Sequence, residues 1–227
     1  MRMMVFDRWS KSVGFWNAEG EDEKAMIYLT AYAGEGQQLG QQNRRQREHI
    51  LGRTLLNMGL QREYALFLSQ LTVKTGRYGK PYLEERPEIQ FNISHCDGLA
   101  ACALHNRTVG LDVEVIRPFS ERLVKKVLTE EELASLGGRE MTPELFFRYW
   151  TLKESYLKAR GTGLAASMRE ISFSWKADGN VESSSEEYVF YQKCLWGKYL
   201  IAVCTARDSD GDEEEKERTS DDIPGDF

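Results

Sequence analysis

Apolar positions along the chain fall into segments of two periods. Residues 26–33 (MIYLTAYA) are β-branched and aromatic, which predicts a strand. Residues 35–60 carry Leu39, Ile50, Leu51, Leu55 and Leu56 among polar residues, which predicts one long helix. A second helix is expected over 62–71, before the turn-rich stretch TGRYGKP at 75–81. Residues 88–104 read as a hairpin, with Asp97–Gly98 as the two-residue turn, and another strand follows at 108–115. Helices then return. Ser120 can cap one reaching about Leu128, and Thr129 and Glu132 have the spacing of a capping box. Thr142–Pro143–Glu144 opens a helix running to about Arg160, where Gly161 and Gly163 stop it. Segments 170–175, 187–193 and 198–205 read as strands.

A faint echo joins the two ends of this pattern. ISHCDGLAACAL and YQKCLWGKYLIAVC are both strand pairs rich in Ala, Val and Cys, and each follows a helical stretch. The expected fold class is therefore α+β, built from two similar halves. The expected division is 1–105, 106–206 and a tail at 207–227.

Composition sharpens the picture at the tail. The chain has 227 residues, 41% of them apolar, with a net charge of −6. Residues 207–227 hold ten acidic and three basic side chains, so the remainder carries a net charge of only +1. The tail is expected to be a solvated appendage. A near-neutral body argues against a dedicated nucleic-acid binder. No run of apolar residues is long enough to cross a membrane as a helix. The four cysteines show no CxxC spacing, and three histidines give little for zinc, so a thiol-reduced, cytoplasmic setting is expected.

Chemistry is concentrated in four segments. In Gly110–Leu111–Asp112–Val113–Glu114, strand alternation places Gly110, Asp112 and Glu114 on one face. Two neighbouring carboxylates need compensation, and a hard cation with oxygen ligands would supply it. The gap at Gly110 would let a ligand approach the sheet. A solvent-facing acidic stripe on an edge strand is the competing reading. On the helix opened by Pro143, Trp150, Glu154 and Lys158 share a face, because they are four residues apart. A surface Glu–Lys pair would explain two of them. The Trp and the aromatics Phe146, Phe147, Tyr149 and Tyr156 suggest instead a partly buried row with a dry wall around it.

Ser94 and His95 point to opposite faces of a strand, which disfavours a hydrolase triad with Asp97. They suit hydrogen bonding to a phosphate, or a structural role. The basic run Arg44, Arg45, Arg47 and Arg53, with Arg77 and Lys80 in the loop GRYGKP, is either solvated surface or an approach to a polyanion. No Walker A or GxGxxG motif occurs.

In this order and spacing, GRYGKPYL (76–83), FNISHC (91–96), VGLDVEVIRP (109–118) and FRYWTLKESYLKARGTGL (147–164) resemble the Sfp-type 4′-phosphopantetheinyl transferases. The combination of GxDxE, WxxKExxxK and an upstream Ser-His pair carries the resemblance. It covers about residues 26–206 and is loose in the first 70. Cys96 departs from the Ser often found after the Ser-His pair.

The resemblance implies a pseudodimer of two α/β halves. It implies an Mg²⁺-dependent holo-[carrier protein] synthase that moves the phosphopantetheine arm of coenzyme A onto a serine of an acyl or peptidyl carrier protein, releasing adenosine 3′,5′-bisphosphate. Asp112, Glu114 and Glu154 would hold Mg²⁺. Lys80, Ser94 and His95 would lie along the coenzyme A phosphates, with Arg53 or Arg45 as the N-terminal basic contact. Lys158 would serve the pyrophosphate, and Glu154 would take the serine proton. Such a protein is expected to act as a monomer, without nucleic acid or membrane partners. The alternatives are another Mg²⁺-dependent phosphotransfer or nuclease activity, or a non-catalytic carrier-binding module.

Overall fold

The structure, a computed structural model, describes residues 2–6, 25–32 and 41–207. The proposed tail beyond Arg207 lies outside the described residues, as does the start of the first long helix.

The N-terminal sheet has the order β1 (Arg2–Phe6), β2 (Met26–Ala31), β6 (Leu99–His105), β5 (Gln90–Cys96). The C-terminal sheet has the order β10 (Tyr188–Leu195), β11 (Tyr199–Ala206), β7 (Val109–Val115), antiparallel throughout. Two short ribbons accompany them, β3 (Val73–Thr75) with β4 (Pro81–Leu83) and β8 (Phe173–Trp175) with β9 (Val181–Ser183). The helices are α1 (Gln41–Tyr64), α2 (Glu121–Val127), α3 (Glu130–Ser135) and α4 (Pro143–Arg160). Apart from β1 in the first half and from α2, α3 and an extra 3₁₀ turn in the second, a similar succession occurs twice: strand, long helix, 3₁₀ turn, ribbon, hairpin.

Period-two patterning sorts these strands into three hydrophobic layers. Alternate residues of β2 and β6 (Ile27, Leu29, Ala101, Ala103) meet Leu111, Val113, Ile201 and Val203, so the two sheets share a core. Their opposite faces take the helices. Tyr28, Cys102 and Leu104 receive Leu55, Leu56 and Leu60 of α1, whereas Leu200, Ala202 and Cys204 receive Phe146, Leu152 and Ala159 of α4. Every residue of β6 is buried, as expected of a strand covered on both faces.

The two hairpins expected from sequence are present, with Asp97–Gly98 as the turn of β5–β6. The capping box at Thr129 and Glu132 is formed. Helix α4 starts as expected, with the Thr142 hydroxyl accepting from Leu145 N, and ends at Gly161 in the left-handed region.

Other expectations are corrected. There is no second helix over 62–71. Helix α1 continues to Tyr64, the chain turns at Ala65 with φ of 54°, and only a 3₁₀ turn follows at Leu68–Gln70. Asn57 Oδ1 accepts from Leu68 N at 2.8 Å, which holds the chain in this turn. The strand expected over 170–175 is shortened to Phe173–Trp175 by the 3₁₀ turn Met168–Glu170. The two ribbons were not expected as strand pairs, since three-residue strands give no measurable alternation. Ser120 precedes α2 but its side chain makes no capping bond.

Candidate active site in the cleft between the two halves

The sheets also meet at an edge, and there the side chains of β5 replace a missing strand. Asn92 Oδ1 accepts from Leu111 N at 2.9 Å, and Ser94 Oγ accepts from Val113 N at 3.2 Å. Buried backbone donors of β7 are thereby satisfied without a ladder. On the other side, α4 lies against β7 at Gly110. A Cβ there would stand 1.9 Å from Ser155 O and 2.3 Å from Ala159 N. The gap at Gly110 thus admits the helix backbone and not a ligand, which corrects the expectation from sequence.

Two residues further along β7 the strand and helix diverge, and a cleft of about 300 Å³ opens. Ser94, His95, Asp112, Glu114, Trp150, Glu154 and Lys158 line it, together with Ile93 and Val113. Seven residues singled out from three separate stretches of sequence therefore share one site. The solvent-facing stripe is excluded for Asp112, which is only 4% exposed.

The centre of the cleft is a three-membered polar network. Lys158 Nζ donates to Asp112 Oδ1 at 2.6 Å and to Ser94 Oγ at 3.1 Å. The Ser94 hydroxyl also lies 3.1 Å from Asp112 Oδ1, to which it donates. Asp112 Oδ2 is buried and has no hydrogen-bond partner. At the rim, Glu114 pairs with Arg117 at 2.6 Å. Burial pushes the Glu154 carboxyl above its ordinary value, and the negative charge of Asp112 adds to the effect while Lys158 opposes it. Burial does the same to Glu114, against the pull of Arg117. Three acidic groups in one half-buried cleft hold negative charge that Lys158 and Arg117 together do not balance.

The donor set suits a hard divalent cation. It consists of carboxylate oxygens, one of them an orphaned buried atom, in a place where a positive charge relieves both desolvation and mutual repulsion. As placed, no group of three His, Cys, Asp or Glu side chains among the described residues converges closely enough to hold an ion. The two ion pairs account for this, since Asp112 is held by Lys158 and Glu114 by Arg117.

Other expected residues lie elsewhere. Lys80 does not line the cleft. Its ammonium donates to Val109 O at 3.0 Å and Ala159 O at 2.8 Å, tying the β3–β4 ribbon to the last turn of α4. Burial pulls its pKa down to about 8. Arg53 is exposed on α1 and is not among the lining residues, and the side chain of Arg45 lies outside the described set. The aromatic wall is also corrected. Trp150 alone of the α4 aromatics lines the cleft, whereas Phe146, Phe147 and Tyr149 pack in the core beneath α4.

The first lysine of WxxKExxxK has a structural place. Lys153 is fully buried, its ammonium 2.7 Å from Glu132 Oε2 and donating to Met168 O and Ile171 O. Glu48 was missed from sequence altogether. It is a buried carboxylate on α1 lying 3.3 Å from His95 Nδ1, and nothing in the basic run around it marks it.

Comparison with known proteins agrees with this geometry. The 4′-phosphopantetheinyl transferase superfamily (ACPS) sequence model matches residues 108–204, a span containing Asp112, Glu114, Glu154 and Lys158. The chain is 30% identical over 164 residues to the 4′-phosphopantetheinyl transferase Sfp of Bacillus subtilis strain 168, covering 69% of this chain and 73% of that one. It is 26% identical over 195 residues to a second 4′-phosphopantetheinyl transferase of Bacillus subtilis, covering 82% and 86%. It is 43% identical over 95 residues to the 4′-phosphopantetheinyl transferase HetI of Nostoc, covering 38% and 40%. With a relative 30% identical over more than two thirds of both chains, the chain belongs to the 4′-phosphopantetheinyl transferase superfamily.

Proposed function

We propose that this protein transfers the 4′-phosphopantetheine arm of coenzyme A to a serine of an apo carrier protein, an acyl or peptidyl carrier, releasing adenosine 3′,5′-bisphosphate. The observation that carries the reading is the cleft network of Lys158, Asp112 and Ser94, with Glu154 one helical turn from Lys158. It combines a cation for phosphate with carboxylates that are charged, desolvated and incompletely paired. We take residues 1–105 and 106–206 as the two halves of a pseudodimer, supported by the repeated succession of elements.

The reacting bond is a diphosphate linkage. The serine hydroxyl forms a bond to the phosphorus bearing the pantetheine arm. The bond from that phosphorus to the oxygen of the nucleotide phosphate breaks, and the serine proton must be removed. Glu154 would take it, directly or through a water, since its side chain lines the cleft one helical turn from Lys158. A positioned base of this kind contributes roughly 10²–10⁴-fold. Lys158 donates to the departing phosphate and offsets its growing charge. Ser94 and His95 face the same cleft and can hold phosphate oxygens in line. Asp112, Glu114 and Glu154 would hold Mg²⁺, which when bound neutralises the diphosphate and lowers the barrier to its attack. To hold it, Asp112 and Glu114 would have to turn from their lysine and arginine partners.

The test is incubation with apo carrier proteins, coenzyme A and Mg²⁺, read by intact mass. Gain of the mass of one phosphopantetheine arm on the carrier is expected. No gain on acyl and peptidyl carriers alike, with folded protein, overturns the reading.

A further inference from the structure

We propose that Glu48 is the positioning residue of His95, holding the imidazole by Nδ1 so that Nε2 is presented to the coenzyme A phosphates. This rests on the reading of the cleft given above.

The two side chains are unequal in exposure. That of His95 is 44% exposed at the mouth of the cleft, whereas that of Glu48 is 6% exposed behind it on α1. Glu48 Oε2 lies 3.3 Å from His95 Nδ1. The contact is an ion-pair approach, and because a carboxylate accepts and cannot donate, it favours hydrogen on Nδ1. In a neutral imidazole that choice leaves Nε2 as the acceptor. When the ring takes a second proton from solvent, Nε2 becomes a donor and the ring a cation, while Nδ1 remains on Glu48.

The other oxygen of Glu48 faces a residue that holds the same stretch of strand. Tyr32 OH lies 3.4 Å from Glu48 Oε1 and donates at 2.8 Å to the carbonyl of Cys96, the residue after His95. Its one hydroxyl proton goes to the shorter contact. The guanidinium of Arg47 stacks over the Tyr32 ring at 5.0 Å. The end of β5 is therefore held at its backbone by Tyr32 and at its ring by Glu48. The relation resembles that of ligating histidines, whose second nitrogen is fixed by a carboxylate behind them. A carboxylate buried beside a phosphate-binding histidine would otherwise repel the ligand, and its place on the far nitrogen makes its charge useful to the ring.

The test uses the full-length protein. Nitrogen chemical shifts of the His95 ring, assigned by difference against His95→Ala, report which nitrogen carries hydrogen before any ligand is added. Hydrogen on Nδ1 is expected in the native protein, and a change to predominantly Nε2–H in Glu48→Ala. Coenzyme A titration by calorimetry should show affinity weakened about tenfold in Glu48→Ala, the usual scale for losing a charge-assisted hydrogen bond, with partial rescue in Glu48→Asp. In the His95→Ala background, Glu48→Ala should add no further loss. Glu48→Leu, similar in size and without an acceptor for Nδ1–H, serves if the alanine variant does not fold. An Nε2–H ring in the native protein, or equal losses from Glu48→Ala with and without His95, overturns the proposal and leaves Glu48 a tie between α1 and β5. Failure of the native protein to bind coenzyme A would sink the reading of the cleft, and the ring nitrogens would then decide the pairing alone.

Discussion

The carbonyl of Ser155 on α4 occupies the space where a side chain on Gly110 of β7 would begin. A Cβ on Gly110 would lie 1.9 Å from that oxygen and 2.3 Å from Ala159 N, far inside van der Waals contact. Both obstacles are helix backbone, which cannot rotate aside. Seating α4 here brings Glu154 and Lys158 to the carboxylates of β7.

Gly110→Ala should therefore separate helix from strand. We expect a loss of more than about 3 kcal/mol, at the high end of overpacking, and loss of turnover even in protein that stays soluble. Urea denaturation checks the first and carrier loading the second. A native midpoint with native turnover would show that helix and strand can part at no cost.

The two lysines of WxxKExxxK should differ sharply in their effect on stability. Lys153→Ala leaves Glu132 buried with two backbone donors but no cation, and two carbonyls without their donor, and should cost about 3 kcal/mol. Lys158 is 28% exposed at the cleft and its partner Asp112 keeps the Ser94 hydroxyl, so Lys158→Ala should cost clearly less than Lys153→Ala. Chemical denaturation of both variants decides. Similar losses would contradict the division into a structural and a functional lysine.

The order of helix and hairpin was legible wherever local chemistry specifies an end. Thr142–Pro143 and Gly161 bracket α4, and Asp97–Gly98 turns β5 into β6. The cleft was legible as a set of residues chiefly through the family resemblance, because periodicity put carboxylates on one face of a strand and of a helix without saying that the two faces meet. What packs against each face was not legible. Gly110 was read as an opening because a missing side chain leaves room, and sequence does not say whether a ligand or a helix fills it. Lys153 and Glu154 are adjacent and equally polar, yet one is core and one is cleft, since neighbours on a helix point about 100° apart. Lys80 looked like a phosphate contact and is held by two backbone carbonyls, acceptors that leave no trace in sequence. Glu48 was hidden among arginines for the same reason, as its partner is 47 positions away.

Asp112→Ala should abolish transfer and spare the fold. The side chain is buried, but its partner Lys158 is partly exposed and keeps Ser94, so no isolated buried charge remains. A fall of at least about 10²-fold in kcat/KM is expected, with an unchanged circular dichroism spectrum. Retained Mg²⁺-dependent turnover would remove Asp112 from the proposed metal ligands.

Lys80 gives a signature in alkaline stability. The folded lysine gives up its proton near pH 8, whereas the unfolded one holds it to 10.5. Between these values the unfolded chain binds more protons, so this residue adds stability as pH rises, by at most about 3 kcal/mol. Buried thiols act in the opposite sense. Cys96 is pushed up to about 12 by burial, so it stays protonated in the fold while unfolded thiols ionise near 9.0, and stability falls above that pH. The comparison with Lys80→Met isolates the lysine. The stability difference, native minus variant, should grow from pH 8 to 10.5. Parallel curves would show that the ammonium is not desolvated.

Glu154 and Lys158 share one face of α4 but should fail in different ways. Glu154→Gln keeps the size of the side chain and loses both the charge that would hold Mg²⁺ and the capacity to take a proton. Turnover should fall by at least about 10²-fold, and raising Mg²⁺ should not restore it. Lys158→Ala removes the donor to the leaving phosphate, so kcat should fall more than coenzyme A affinity. It also releases Asp112 Oδ1 from its ion pair, so the Mg²⁺ concentration needed for half-maximal rate should drop. Were the pair only a surface decoration of the helix, neither variant would change turnover and each would cost at most ~0.5 kcal/mol. Turnover and coenzyme A binding at several Mg²⁺ concentrations separate these outcomes. Rescue of Glu154→Gln by excess Mg²⁺ would leave Glu154 a ligand, and a water or another side chain would then have to take the serine proton. Normal kcat in Lys158→Ala would remove that lysine from the chemistry and leave it as the charge that holds Asp112 before Mg²⁺ arrives.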